Sequence, residues 1–248
     1  MPELDKDRIY RSNGQRLARL IHLCKARFRH SQHDIVDWLG QFIPVHATII
    51  DAGAQFGNFT KAFARLHGST CTVHAFEPLP YNYAILKTVT AGLGNTRIHQ
   101  MALSDKTGTA DLLVPVKKRG RLGPGLAHFG AEQQRNYIRE AVATQCLDDF
   151  VRIHAIERID FIKCDVEGAE LPAFRGAAAV LRESRPVIYT EINDDFTHRL
   201  NYNAEELFGY LLDFGYAASR VDEERPVAHP VDRYAGSGNY LFTATTIR

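Results

Sequence analysis

The stretch TIIDAGAQFGNFTKAF, residues 48–63, sets the reading of the whole chain. An apolar run ends on Asp51, glycines follow at Gly53 and Gly57, and a helix-like pattern begins near Asn58. That is a strand, a tight turn and a helix N-terminus. Backbone N–H groups at such a turn approach a polar or anionic group, and the helix dipole adds to the attraction.

Glycine spacing and the position of the acid discriminate between ligands. A dinucleotide turn needs G-x-G-x-x-G, so that the backbone meets a pyrophosphate. Here the pattern is Asp51-x-Gly53-x-x-x-Gly57, with an acid before the first glycine. That acid repels a pyrophosphate and accepts hydrogen bonds from an ammonium. S-Adenosylmethionine fits, because it carries an α-amino group and a sulfonium and no phosphate. Its expected binding residues here are Asp51, Gly53, Gln55, Phe56, Gly57 and Asn58.

Outward from this turn, short β-rich runs alternate with longer helical patterns, the signature of a mostly parallel sheet with helices on both faces. The spacing predicts strands over Thr48–Asp51, Thr72–Glu77, Arg97–Leu103, Phe161–Asp165, Val187–Glu191, Tyr216–Arg220 and Asn239–Ile247. Helices are expected over Asn58–Leu66, Pro80–Ala91, Leu171–Glu183 and Ala204–Phe214, with Gly68, Gly92 and Gly215 as stops. The last strand follows a polar stretch from Asp222 to Gly238 and not a helix, so it is expected to enter antiparallel.

Two segments break the rhythm. Residues 114–146 are expected to form a basic, glycine-rich loop and then a polar helix, an insertion that covers the strand ends as a lid. Residues 1–46 read as an N-terminal helical extension ahead of a catalytic domain over 47–248. Within the extension, RLARLIHLCKARFRH (16–30) has five Lys or Arg and no acid. Such a basic amphipathic helix packs on its own domain or meets a membrane or an anionic partner.

Bulk properties exclude several classes. The 248 residues suit one large α/β domain, and 45% hydrophobic with 24% charged residues argues against wholesale disorder. A net charge of +1 gives no global reason to expect nucleic acid as partner. Four cysteines without CxxC spacing suggest neither zinc nor a disulfide framework. The start lacks a signal-peptide core and no stretch reads as transmembrane, so a cytoplasmic protein is expected.

Acids at later strand ends complete the candidate site. Glu77, before Pro78 in VHAFEP, is placed to take the hydroxyls of an adenosine ribose, a role shared with dinucleotide sites. Leu103 and Ser104 in MALSD fall where an adenine edge lies. IDFIKCDVEGAEL presents Asp165, Glu167 and Glu170, with Glu170 equally explained as a helix N-terminal acid. VIYTEINDD adds Glu191 and Asn193 at the next strand end.

DAGAQFGNFT, FEPLPYNYAIL, ALSDKTGTADL and above all KCDVEGAEL resemble the FkbM-type S-adenosylmethionine-dependent methyltransferases, from about Thr48 to Tyr216. Gln55 departs from that pattern, which has Asn there. The resemblance implies a Rossmann-like class I methyltransferase fold, seven-stranded and mostly parallel with an antiparallel last strand. It also implies methylation of oxygen in sugars, glycolipids or secondary metabolites.

Methyl transfer needs alignment more than acid catalysis, and a hydroxyl acceptor gains from a base. Asp165 is the expected base or acceptor-orienting group, with Glu167 and Glu191 next. Asp165, Glu191 and Asn193 also resemble the magnesium ligands of catechol-type methyltransferases, so Mg²⁺ is a second, less favoured cofactor. Expected partners are a small-molecule or glycan acceptor and, as an open option, a second copy of the chain. The competing readings are a nicotinamide-dependent oxidoreductase, disfavoured by the glycine spacing, and a non-catalytic cofactor-binding module.

Overall fold

The computed structural model describes residues 6–28, 33–117, 121–130 and 136–245. Three helices, α1 (Lys6–Arg11), α2 (Asn13–Phe28) and α3 (His33–Leu39), precede the first strand. Then come β1 (Thr48–Ala52), α4 (Asn58–Arg65), β2 (Thr72–Phe76), α5 (Pro80–Thr90), β3 (Thr96–His99) and β4 (Ala102–Leu103). The middle holds β5 (Gly108–Lys117), β6 (Arg121–Leu122), β7 (Tyr137–Gln145), α6 (Leu147–Ile153) and β8 (Phe161–Cys164). The last part has α7 (Glu170–Arg175), α8 (Ala178–Glu183), β9 (Val187–Ile192), α9 (Asp194–Thr197), α10 (Ala204–Asp213), β10 (Tyr216–Asp222), β11 (Val227–Val231) and β12 (Gly238–Ala244).

The main sheet has the order β11-β10-β12-β9-β8-β1-β2-β3. Strands β9, β8, β1, β2 and β3 are mutually parallel, and β12 runs antiparallel to both β9 and β10. The expected antiparallel last strand is therefore present. The strand count is corrected from seven to eight, because the polar stretch after β10 folds back as β11 on the sheet edge.

Side chains alternate between the faces of this sheet, as a period of two requires. Ile49, Phe161 and Tyr189 pack with α3 and α4 on one face. Ile50, Ile162 and Ile188 pack with α6, α7, α8 and α10 on the other. The central strands are buried on both sides, which is why TII and FIKC read as continuous apolar runs with one polar exception each.

A second sheet, β4-β7-β5-β6, grows out of the same region. Its long hairpin pairs β5 with β7 over eight residue pairs, from Gly108↔Thr144 to Pro115↔Tyr137. The expected polar helix in 114–146 is corrected here: Tyr137–Gln145 is a strand whose burial largely alternates residue by residue. The predicted strand Arg97–Leu103 is divided between the two sheets, as β3 and β4. The predicted helix Leu171–Glu183 is broken at Gly176, where an added Cβ would lie 2.0 Å from the Ser104 carbonyl oxygen.

The N-terminal helices are seated on this body. Ile35, Val36 and Leu39 of α3 join the core under β1. Ala26 of α2 packs with Tyr81 and Ile85 of α5 and with Leu112 and Ile138 of the second sheet.

Candidate active site

The turn after β1 is defined by left-handed backbone conformations at Gly53 (φ 76°), Gln55 (φ 47°) and Gly57 (φ 81°). The Gly53 and Ala54 N–H groups donate to the Phe76 carbonyl at 3.1 and 3.0 Å, which ties the turn to the end of β2. A Cβ on Gly53 would lie 1.8 Å from the Asp165 carbonyl oxygen, so only glycine permits the turn to rest on the exit of β8. Gln55 occupies a conformation that asparagine tolerates better, which gives a physical reason for the family pattern having Asn there.

Beside this turn lies a narrow cleft. Seven predicted residues line it: Gly53, Gln55, Glu77, Pro78, Leu103, Asp165 and Glu167. Glu77 is buried and fixed. Its carboxylate accepts from the Gln55 and Leu79 N–H groups, both at 2.9 Å, and from Asn82 Nδ2 at 3.3 Å. Burial pushes its pKa up to about 7, against the pull of these three donors.

The other predicted cofactor residues stand behind or beside the cleft. The Asp51 carboxylate is fully buried, accepts from Thr60 Oγ1 at 2.6 Å and faces Lys163 Nζ at 3.7 Å. The ammonium it meets belongs to the protein. Phe56 packs against His22 and Tyr81, Gly57 starts α4 against Leu86, and Ser104 Oγ donates to Asp105. Asn58 Oδ1 is buried with no hydrogen-bond partner.

Three acids separate by position. Glu167 sits at φ 56°, a strained conformation for a non-glycine residue, in a turn with Gly168 at φ 98°. Burial first, and then repulsion from Asp165, Glu191 and Glu170, raises the Glu167 pKa to about 8. Its Oε2 is buried without a hydrogen-bond partner. Glu191 lies outside the cleft, in a second cavity with Lys163, Tyr189 and Glu223. Burial, followed by the Asp165 charge, raises the Glu191 pKa. Asp165 is the one residue that borders both spaces among the described residues.

Glu170 serves the turn itself. It is fully buried and accepts from the Val166 and Gly168 N–H groups and from Tyr202 Oη. Asn193 caps α9, its Oδ1 accepting from the Asp195 N–H. Among the described residues, no three His, Cys, Asp or Glu side chains converge as a cation site.

Sequence reasoning missed Lys163, the cation that organises the site. It sits opposite Asp51 in the β1–β8 register and two residues before Asp165, on the same strand face. Its Nζ lies 3.4 Å from Asp165, and 3.1 and 3.4 Å from the carbonyl oxygens of Gly53 and Ala52. Burial works against the ammonium, but Asp165 and Asp51 outweigh it and hold the pKa above the usual lysine value. A lysine inside an apolar strand, flanked by acids at strand ends, was the available signal.

Asn82 was also missed; it links Glu77 to the Pro124 carbonyl at 3.1 Å. Pro124, Gly125, Ala127 and Phe129 line the cleft from the insertion, so the inserted segment does lie at the strand ends. His128 next to them is buried, with its backbone paired to Leu113.

Comparison with known proteins bears on the fold and the family. A structure titled methyltransferase FkbM, from Methylobacillus flagellatus KT, superposes with a TM-score of 0.51 at 17% identity, covering 79% of this chain and 43% of that one. The putative rRNA-methylase of Clostridium thermocellum gives 0.50 at 12% identity over 88% and 98% of the two chains. At these identities the likeness is one of fold. The 2-O-methyltransferase NoeI of Sinorhizobium fredii is 29% identical over 156 residues, 59% of this chain and 63% of that protein. Methyltransferase sdnD of Sordaria araneosa is 30% identical over 160 residues, 54% and 61% of the two. The matched part thus spans less than two thirds of either relative. The methyltransferase FkbM domain model matches residues 51–218, more than half of the chain, with Asp51, Glu77, Asp165, Glu167, Glu170 and Glu191 inside the match, so the chain belongs to the FkbM methyltransferase family.

Proposed function

We propose that the chain transfers the methyl group of S-adenosylmethionine to a hydroxyl oxygen of a sugar, glycolipid or secondary-metabolite acceptor. The observation that carries this is the position of Asp165 between the glycine-turn cleft and the polar cavity of Glu191. Family membership supports methyl transfer, and the relative NoeI, a 2-O-methyltransferase, supports oxygen as the accepting atom.

The cleft residues fit the cofactor. Three donors leave spare acceptor capacity on the two Glu77 oxygens, enough to take a ribose hydroxyl. Leu103, Ala102 and Phe76 offer an apolar wall for a base, and Glu167 an unpartnered carboxylate oxygen for a cationic end. When bound, S-adenosylmethionine supplies a methyl group already activated on sulfonium.

The protein's part is then alignment and removal of one proton. Asp165, a carboxylate 28% exposed and beside the Lys163 ammonium, accepts the proton of the acceptor hydroxyl. Glu191 orients that acceptor from the far side, and Glu167 balances charge on the cofactor side. Residues 121–130, with Phe129 and Pro124 over the cleft, act as a cover that keeps water out.

The test is product analysis with isotopically labelled S-adenosylmethionine and a panel of hydroxylated glycans and glycolipids. Label in an acid- and base-stable ether is expected. Label recovered only on nitrogen or carbon, or binding of NAD in preference to S-adenosylmethionine, would overturn the reading.

A further inference from the structure

Helix α2 packs on the domain with one face and exposes an apolar stripe on the opposite one. The inner face, with Gln15, Ala18 and Ala26 buried, is fastened to the domain. Gln15 Oε1 accepts from the Leu122 N–H at 3.0 Å, His22 Nδ1 meets Tyr81 Oη at 3.0 Å, and Lys61 donates to the Ala26 carbonyl. The outer face carries Leu17, Leu20 and Ile21, which are 59%, 60% and 41% exposed, and the exposed Cys24. Spacing of i, i+3, i+4 and i+7 sets these four in one stripe, opposite the buried one.

Basic residues border that stripe. At 100° per residue Arg16 and Arg27 fall on one side of it and Lys25 on the other, all exposed, and α2 contains no acid. We propose that α2 docks the protein on an anionic lipid bilayer, with Leu17, Leu20 and Ile21 in the headgroup and acyl boundary and the basic flanks on lipid phosphates.

Charge and area select this occupant. A second copy would bring an acid-free basic face against itself, at a cost in repulsion. The stripe exposes on the order of 300 Å², against roughly 800 Å² per partner in a stable dimer. A nucleic acid would use the arginines but has no place for a central aliphatic stripe. A bilayer uses both, and each basic side chain near an anionic surface raises partitioning roughly fivefold. No described helix is long and apolar enough to cross a membrane, so the contact is interfacial.

The experiment is flotation of the full chain with vesicles of phosphatidylcholine alone, and with about 30% phosphatidylserine added. Binding is expected only to the anionic vesicles, weakening as salt rises. Leu17→Ser with Leu20→Ser should lower it at least about tenfold, and Arg16→Ser with Arg27→Ser by a similar factor. Both variants should keep the wild-type circular dichroism and melting temperature, because the changed side chains face solvent. Absence of anionic-vesicle binding, or equal binding by the leucine variant, overturns the proposal. So does a wild-type dimer, or an RNA complex, that is lost in the same variant while vesicle binding is absent.

Discussion

Replacing Lys163 with methionine removes the one cation between Asp51 and Asp165 while keeping the volume of the side chain. Lys163 is 3% exposed and Asp51 fully buried, so water cannot take over the lost contact. What remains to Asp51 is the 2.6 Å hydrogen bond from Thr60. Breaking a buried pair from one side costs about 3–5 kcal/mol. At 2–4 °C per kcal/mol for a domain of this size, Lys163→Met should melt roughly 6–20 °C lower. The loss should depend on pH. Burial already raises the Asp51 pKa, and without Lys163 it rises further. The native state then binds a proton that the unfolded state releases above about pH 4, so the variant is relatively most stable in acid and loses stability as pH rises. Asp51→Asn in the Lys163→Met background should recover about half of the loss, since the uncompensated charge is gone. Thermal denaturation by circular dichroism between about pH 4 and 8 measures all of this. A single variant that melts within about 3 °C of wild type, or a double variant no better than the single, would refute the account of Lys163.

Glu77→Gln should weaken S-adenosylmethionine binding about tenfold, roughly 1.4 kcal/mol by calorimetry. In the wild type, with a Glu77 pKa near 7, affinity should fall as the pH drops through about 7; a flat profile would remove the charge from the interaction. Asp165→Asn should cut single-turnover methyl transfer about 10²–10⁴-fold with far less change in cofactor affinity, and near-normal turnover would move the base to Glu191. Glu167→Gln should stabilise the protein by about 1 kcal/mol near pH 8. A carboxyl with its pKa raised to about 8 favours the native state at low pH and loses that advantage as pH rises, which denaturation at two pH values reads directly.

The parallel half of the sheet and seven of the residues that line the cleft were legible because their signals are local. Gly53 has to be glycine where a Cβ would meet Asp165, and Glu77 has to stand at a strand end to reach the Gln55 and Leu79 N–H groups. The insertion was not legible for the opposite reason. Glu140, Ala141 and Ala143 favour helix in isolation, but β7 is paired with β5, and Glu140 accepts from Tyr10 of α1. Pro230 fits within β11 because β11 is an edge strand, where a missing N–H costs no ladder bond. The lysine in the apolar run was visible, but that Lys163 stands opposite Asp51 depends on the strand register, which the linear pattern does not give.

The insertion of β12 between β9 and β10 also sets the order in which the molecule can be completed. Both neighbours precede it in sequence, and each presents a bare ladder edge until residues 238–244 arrive. During synthesis the five parallel strands can assemble around β1 while β10 and β11 wait as a detached hairpin. Joining the two parts is then a late, long-range step. The unpaired flank of β9, carrying Tyr189 and Glu191, is in that interval the place most exposed to wrong partners.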